Sequence, residues 1–133
     1  DGGGFSASGF FGQEINIQNV LFEGNLAYDK GGGIYHSFAP INGMNLSNVI
    51  IKNNMAFGFG GGGINNWSGI INFSSENRSS IFNNMGIGAD IFSLGPMEVI
   101  LDTFTVINPT NYHALSVMGN FTFDINNSII FVF

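Results

Sequence analysis

The chain has 133 residues, 3 basic against 9 acidic for a net charge of −6, and 44% hydrophobic but only 9% charged residues. So few cations exclude a basic nucleic-acid surface, and no apolar run approaches the roughly 18 residues that a membrane-spanning helix needs. Zero Cys excludes disulfides and thiolate metal sites, while 20 Gly and 19 Asn favour extended chain with tight turns over helix.

In chain order, residues 4–6 read as a short strand. Residues 15–17 alternate Ile-Asn-Ile, the period of a half-buried strand. Residues 20–22 form a second strand after a short corner. Asn25 and the glycines at 31–33 then lead into a third at 33–35. The series recurs at 44–46, 49–51 and 63–65; at 71–73, 80–82 and 90–92; at 99–101, 104–106 and 114–117; and at 121–123 and 129–133.

Three blocks carry the repeat openly: NVLFEGNLAYDKGGGIY from Asn19, NVIIKNNMAFGFGGGGIN from Asn48 and SSIFNNMGIGADIF from Ser79. Asn25, Asn54 and Asn84 are spaced by 29 and 30 residues, and Ile34, Ile64 and Ile91 by 30 and 27. Three short strands per 24–30-residue repeat predict an all-β protein, a right-handed parallel β-helix of about five coils, as one domain over residues 1–133. The competing antiparallel sandwich wants Asn-Gly between its hairpin strands, and the sole Asn-Gly is Asn42-Gly43.

Alternation assigns Ile15, Ile17, Leu21, Ile34, Leu46, Ile50, Ile64, Ile71, Phe73, Ile81, Ile91, Ile100, Phe121 and Phe123 to the interior. With 15 Phe in the chain, aromatic stacking along the axis is expected. Asn25, Asn54, Asn84 and Asn108 end the second strand of their repeats. They are expected to form a hydrogen-bonded side-chain ladder and to take the left-handed backbone of the corner. The glycine runs serve the following bend. His36 and His113 read as solvated histidines, and no metal or cofactor is expected.

Residues 2–6 repeat the third strand type and 128–133 the second, which reads as a whole number of coils cut out of phase without caps. Gly3, Gly4 and Phe5 of one copy are therefore expected to stack on Ile129, Ile130, Phe131 and Phe133 of the next, as a head-to-tail homopolymer. The start at Asp1, without Met or signal peptide, reads as a processed, exported product. Six sequons are candidate glycosylation sites: Asn45, Asn66, Asn72, Asn77, Asn120 and Asn126. Asn45, Asn72 and Asn120 alternate with inward residues and so face outward.

The blocks from Asn19 and Asn48 resemble the repeats of chlamydial-type polymorphic outer-membrane proteins, with an F-x-x-N box followed by a G-G-A-I-like box. Phe22-Glu-Gly-Asn25 matches the first box literally, whereas residues 51–54 and 81–84 match it with Ile in place of Phe. Gly32-Gly-Ile34 and Gly62-Gly-Ile64 match the second with Gly for Ala. The resemblance covers residues 19–92 and implies a right-handed β-helix exposed outside a cell, often in adhesion.

The expected function is an extracellular or cell-surface structural protein, not an enzyme, whose subunits stack into a filament or sheath. A segment of a cell-surface adhesin is the first alternative. A polysaccharide-active β-helix enzyme is the second; it needs clustered carboxylates, and Glu98, Asp102 and Asp124 are the nearest approach to a cluster.

Overall fold

The computed structural model describes residues 1–8, 14–37, 43–58, 60–67, 69–73, 79–86, 89–94, 97–102, 105–108, 115–118, 121–126 and 129–132, with backbone alone at 89–90 and from 93 onward. These residues form strands and turns and no helix. Three five-stranded sheets run the length of the chain. The first contains β1 (Phe5–Ser8), β5 (Ile34–Ser37), β9 (Gly61–Asn66), β12 (Ala89–Leu94) and β15 (Leu115–Met118). The second contains β2 (Ile15–Gln18), β6 (Met44–Ser47), β10 (Ile71–Phe73), β13 (Met97–Asp102) and β16 (Phe121–Asn126). The third contains β3 (Leu21–Glu23), β7 (Ile50–Lys52), β11 (Ser80–Phe82), β14 (Thr105–Asn108) and β17 (Ile129–Val132).

Every pair in these sheets is parallel and joins equivalent positions of successive repeats. The chain is therefore a parallel β-solenoid, in which each winding pairs with the windings before and after it. A single winding buries little apolar surface, so the core exists only through stacking.

The core is a set of columns along the axis. Phe5, Ile34, Ile64 and Ile91 are one. Ile15, Met44 and Ile71 are a second, and Ile17, Leu46 and Phe73 a third. Phe22, Ile51 and Ile81 are the fourth. Their central members Ile34, Met44, Leu46, Ile51, Ile64 and Ile81 are wholly buried. Burial of each such side chain stabilises the fold by about 1.5–3 kcal/mol.

Several expected orientations differ. In the third sheet the interior takes Phe22 and Ile51, and Leu21 and Ile50 are exposed. Asn19 and Asn48, with φ of 56° and 51°, turn the preceding corner. That corner sends Val49 inward, and alternation then puts Ile50 outside and Ile51 inside. In β13 the register levels Val99 and Leu101 with the inward Ile71 and Phe73, so Ile100 shares the row of Asn72. Phe121 and Phe123 keep the expected parity, Phe123 being level with Val99. The columns are mainly aliphatic. On the surface the Tyr28 and Phe57 rings pair, with centroids 6.1 Å apart.

Two strands were not anticipated. β4 (Leu26–Ala27) pairs with β8 (Met55–Ala56), and Met55 bridges on to Met85. Each is only two residues long, below the length at which alternation is readable. They explain the glycines: a Cβ on Gly32 would lie 2.6 Å from the Met55 carbonyl oxygen, and one on Gly3 2.8 Å from that of Leu26. The glycine rows let the backbone of the next winding approach, a use beyond bending the chain.

The corrected register is testable. Ile51→Ala should cost about 2–5 kcal/mol in urea denaturation, and Ile50→Ala next to it about 0.5 kcal/mol or less.

Candidate functional site: asparagine columns and open sheet edges

The corner after the third-sheet strand is held by side-chain amides. Asn54 Oδ1 accepts from Asn25 Nδ2 at 2.8 Å and from the Asn25 backbone N–H at 2.9 Å. Asn84 Oδ1 accepts the same two bonds from Asn54, at 2.9 and 3.0 Å. The second hydrogen of each amide reaches back one winding: Asn54 Nδ2 donates to Phe22 O and Asn84 Nδ2 to Ile51 O, both at 3.0 Å. Asn54 and Asn84 are buried, and every polar atom of the Asn54 side chain is satisfied by protein.

This accounts for the spacing of the sequence boxes. The aromatic or Ile of the first box points into the core, and its carbonyl accepts from the ladder Asn of the next winding. The left-handed backbone lies one residue earlier than expected, at Gly24, Asn53 and Asn83, with φ of 66°, 54° and 56°. The ladder asparagines are thus chosen for their amides and the preceding residues for their backbone. The fourth expected rung is displaced. Phe82 pairs with Ile107, which puts Asn108 level with Asn83, one position before the ladder; its side chain lies outside the described ones.

A second column runs up the outside of the second sheet. Asn72 Nδ2 donates to Asn45 Oδ1 at 2.9 Å, and Asn45 Nδ2 donates to Asn16 Oδ1 at 3.0 Å and to Glu14. Asn48 Nδ2 bonds Asn19 Oδ1 at 2.8 Å across the corner. In these outer columns the amides donate toward the N-terminal winding. In the buried ladder the amide-to-amide bonds run toward the C-terminal one.

His36 is not a solvated histidine. It is wholly buried, with Nδ1 2.8 Å from Asn66 Oδ1. The Asn66 amide nitrogen donates to Gly69 O at 3.0 Å, so His36 Nδ1 is the donor in this pair. Nε2 is then the unprotonated nitrogen, buried and without a hydrogen-bond partner. Burial lowers the pKa of His36 below the ordinary 6.5, and the bond to Asn66 opposes the shift in part. His113 lies outside the described residues.

The sequon asparagines are scattered by the fold. Asn45 and Asn72 are half-buried in the outer column. Asn66 is fully buried with its amide engaged, so the folded chain has no room for a sugar there. Asn126 is in β16 opposite Asp102, with its side chain outside the described ones, and Asn77 and Asn120 lie outside the described residues. The register sets Asp124 beside Ile100, with Glu98 and Asp102 two positions to either side, so no two of these acids are paired. Among the described residues no group of three or more metal-binding side chains is present.

β1, β2 and β3 are the outermost strands at one end of the three sheets, and β15, β17 and β16 at the other. At the first end Phe5, Ala7, Ile15 and Val20 pack on the core but stay partly open to solvent. Gly3 and Gly4 donate to Gly31 O and Gly33 O at 3.0 and 3.2 Å, which anchors the first strand to the second winding. At the other end Ile129, Ile130 and Phe131 pair with Thr105, Val106 and Ile107; Phe133 lies outside the described residues.

No family model, curated protein or solved structure matches the chain.

Two measurements check this geometry. Asn54→Ala leaves several buried donors and acceptors unmade, each worth about 1–3 kcal/mol. It should cost about 3 kcal/mol or more in chemical denaturation, against about 1 kcal/mol or less for Asn45→Ala on the outer column. For His36 the folded pKa lies below the unfolded one, so between the two values the unfolded chain binds more protons. Its contribution is complete above the unfolded pKa of 6.5 and is lost as pH falls through the window beneath it. The melting temperature of the native chain should therefore fall more steeply than that of His36→Gln between about pH 7 and about pH 5.

Proposed function

We propose that this protein is an extracellular, non-enzymatic structural module whose solenoid is continued from copy to copy, end to end. The observation that carries this reading is that β1, β2 and β3 are the outermost strands of the three sheets at one end, and β15, β16 and β17 at the other, on matching columns. The columns make the two ends compatible. Leu115 continues the column of Phe5, Phe123 that of Ile15, and Ile130 that of Phe22. A copy laid on β15, β16 and β17 by its own β1, β2 and β3 would extend all three sheets in register. Open parallel edges are templates for such pairing, and a head-to-tail contact that does not close yields a filament.

The outer-membrane-protein-like boxes support placement outside a cell. The low charge favours association over dispersal, since few like charges oppose contact.

Negative-stain electron microscopy of the purified chain should show filaments, with a subunit rise of roughly 24 Å for five windings of about 4.8 Å. The Phe5 N–H donates to Gly33 O, so alternation turns that of Ser6 to the open side. Ser6→Pro should leave circular dichroism unchanged and cap growing filaments at substoichiometric amounts. Monomers alone at high concentration would refute end-to-end stacking.

A further inference from the structure

The outer surface beside the third sheet carries an unusual run of large apolar side chains. Leu26 on β4 and Tyr28, two residues on, are 51% and 87% exposed, and Phe57 is 55% exposed. Met55 stacks on Leu26 in the adjacent winding, and the Tyr28 ring lies 6.1 Å from that of Phe57. On the other side of the corner at Gly24, Leu21 and Ile50 of the third sheet are 52% and 37% exposed. Between the two apolar rows lies one ion pair, Glu23 and Lys52, 3.2 Å apart.

We propose that this stripe is a side-by-side dimer interface between two copies of the chain, related by a two-fold axis across the solenoid between the first and second windings. Such an axis lies along the strand direction. It keeps each column in place and exchanges the two windings. Leu21 then meets Ile50 of the second copy, Leu26 meets Met55, and Tyr28 meets Phe57. Glu23 meets Lys52, so the two ion pairs close into a ring of alternating charge.

The charges select this axis. A two-fold through the second winding would set Lys52 against its own symmetry mate, which costs energy between like charges. The exposed fractions amount to about 560 Å² per partner, taking roughly 200 Å² for each large side chain. That is less than the about 800 Å² per partner of a standard interface, so the pairing is reversible and weak. A lipid surface fits the stripe less well. The chain carries a net charge of −6, with Glu23 and Asp29 close to the apolar residues. The pairing leaves both ends of the sheets free and does not rest on end-to-end stacking.

Sedimentation of the Ser6→Pro chain, whose end-to-end stacking is blocked, should give a species of twice the monomer mass, a mass at which lateral pairing stops; stacking alone has no such limit. Tyr28→Glu and Phe57→Lys, both at exposed positions, should each weaken pairing by about tenfold or more with unchanged circular dichroism. Mixing those two variants should restore it, because the axis brings the new charges together while the second Tyr28–Phe57 contact stays intact. The chain has no Cys, so a mixture of Leu26→Cys and Met55→Cys chains should oxidise to a mixed disulfide dimer far more readily than either alone. That readout holds whether or not filaments form. A mixture no better than its components in both assays would overturn the proposal. So would binding to phosphatidylcholine vesicles that the same substitutions abolish, which would assign the stripe to lipid.

Discussion

In-register stacking of parallel windings is the constraint on which the rest of this molecule depends. The backbone bonds do not enforce it alone, since a parallel ladder pairs equally well after a slip of two residues. The side chains do. A slip of one residue would turn Ile34, Ile51 and Ile64 out to water. Any slip would part Asn54 from Asn25 and Asn84, where amide, backbone N–H and backbone carbonyl meet within 2.8–3.0 Å. The apolar columns make stacking favourable, and the buried ladder selects one register from those that bury similar area.

Asparagine and glycine divide the remaining work by position. Asn25, Asn54 and Asn84 use their amides; Asn19, Asn48, Asn53 and Asn83 use their tolerance of positive φ; Asn16, Asn45 and Asn72 form the outer column. Gly24 and Gly31 take positive φ, whereas Gly3 and Gly32 make room for a neighbouring carbonyl. A composition so low in charge is compatible with a folded chain because these neutral groups satisfy one another. Among the described residues the exceptions are His36 Nε2 and both polar atoms of the Asn65 side chain, which are buried without a protein partner. These sit at the first sheet.

The columns also give the solenoid a direction. The amide-to-amide bonds of the buried ladder run toward the C-terminal winding and those of the outer columns toward the N-terminal one. A further winding added to either end keeps both senses only if it runs the same way. The proposed end-to-end contact is therefore head to tail. The proposed lateral contact, made by exposed side chains across a two-fold axis, is free of that restriction and joins antiparallel copies.

Much of the architecture was legible in the sequence because a repeat of 24–30 residues projects a three-dimensional fact onto one dimension. The spacing of Asn25, Asn54 and Asn84, and of Ile34, Ile64 and Ile91, follows from the length of one winding. Alternation at residues 15–17, 44–46 and 71–73 placed the inward face of the second sheet correctly. Local pattern failed where neighbouring residues were all apolar. Val49, Ile50 and Ile51 carry no alternation, so only the corner at Asn48 decided which of them faced inward. The burial of His36, the one-residue offset of Asn108 and the pairing of Leu26 with Met55 were likewise set by contacts between windings. Those contacts join residues about 30 positions apart, a distance at which sequence records the period but not the face each side chain presents.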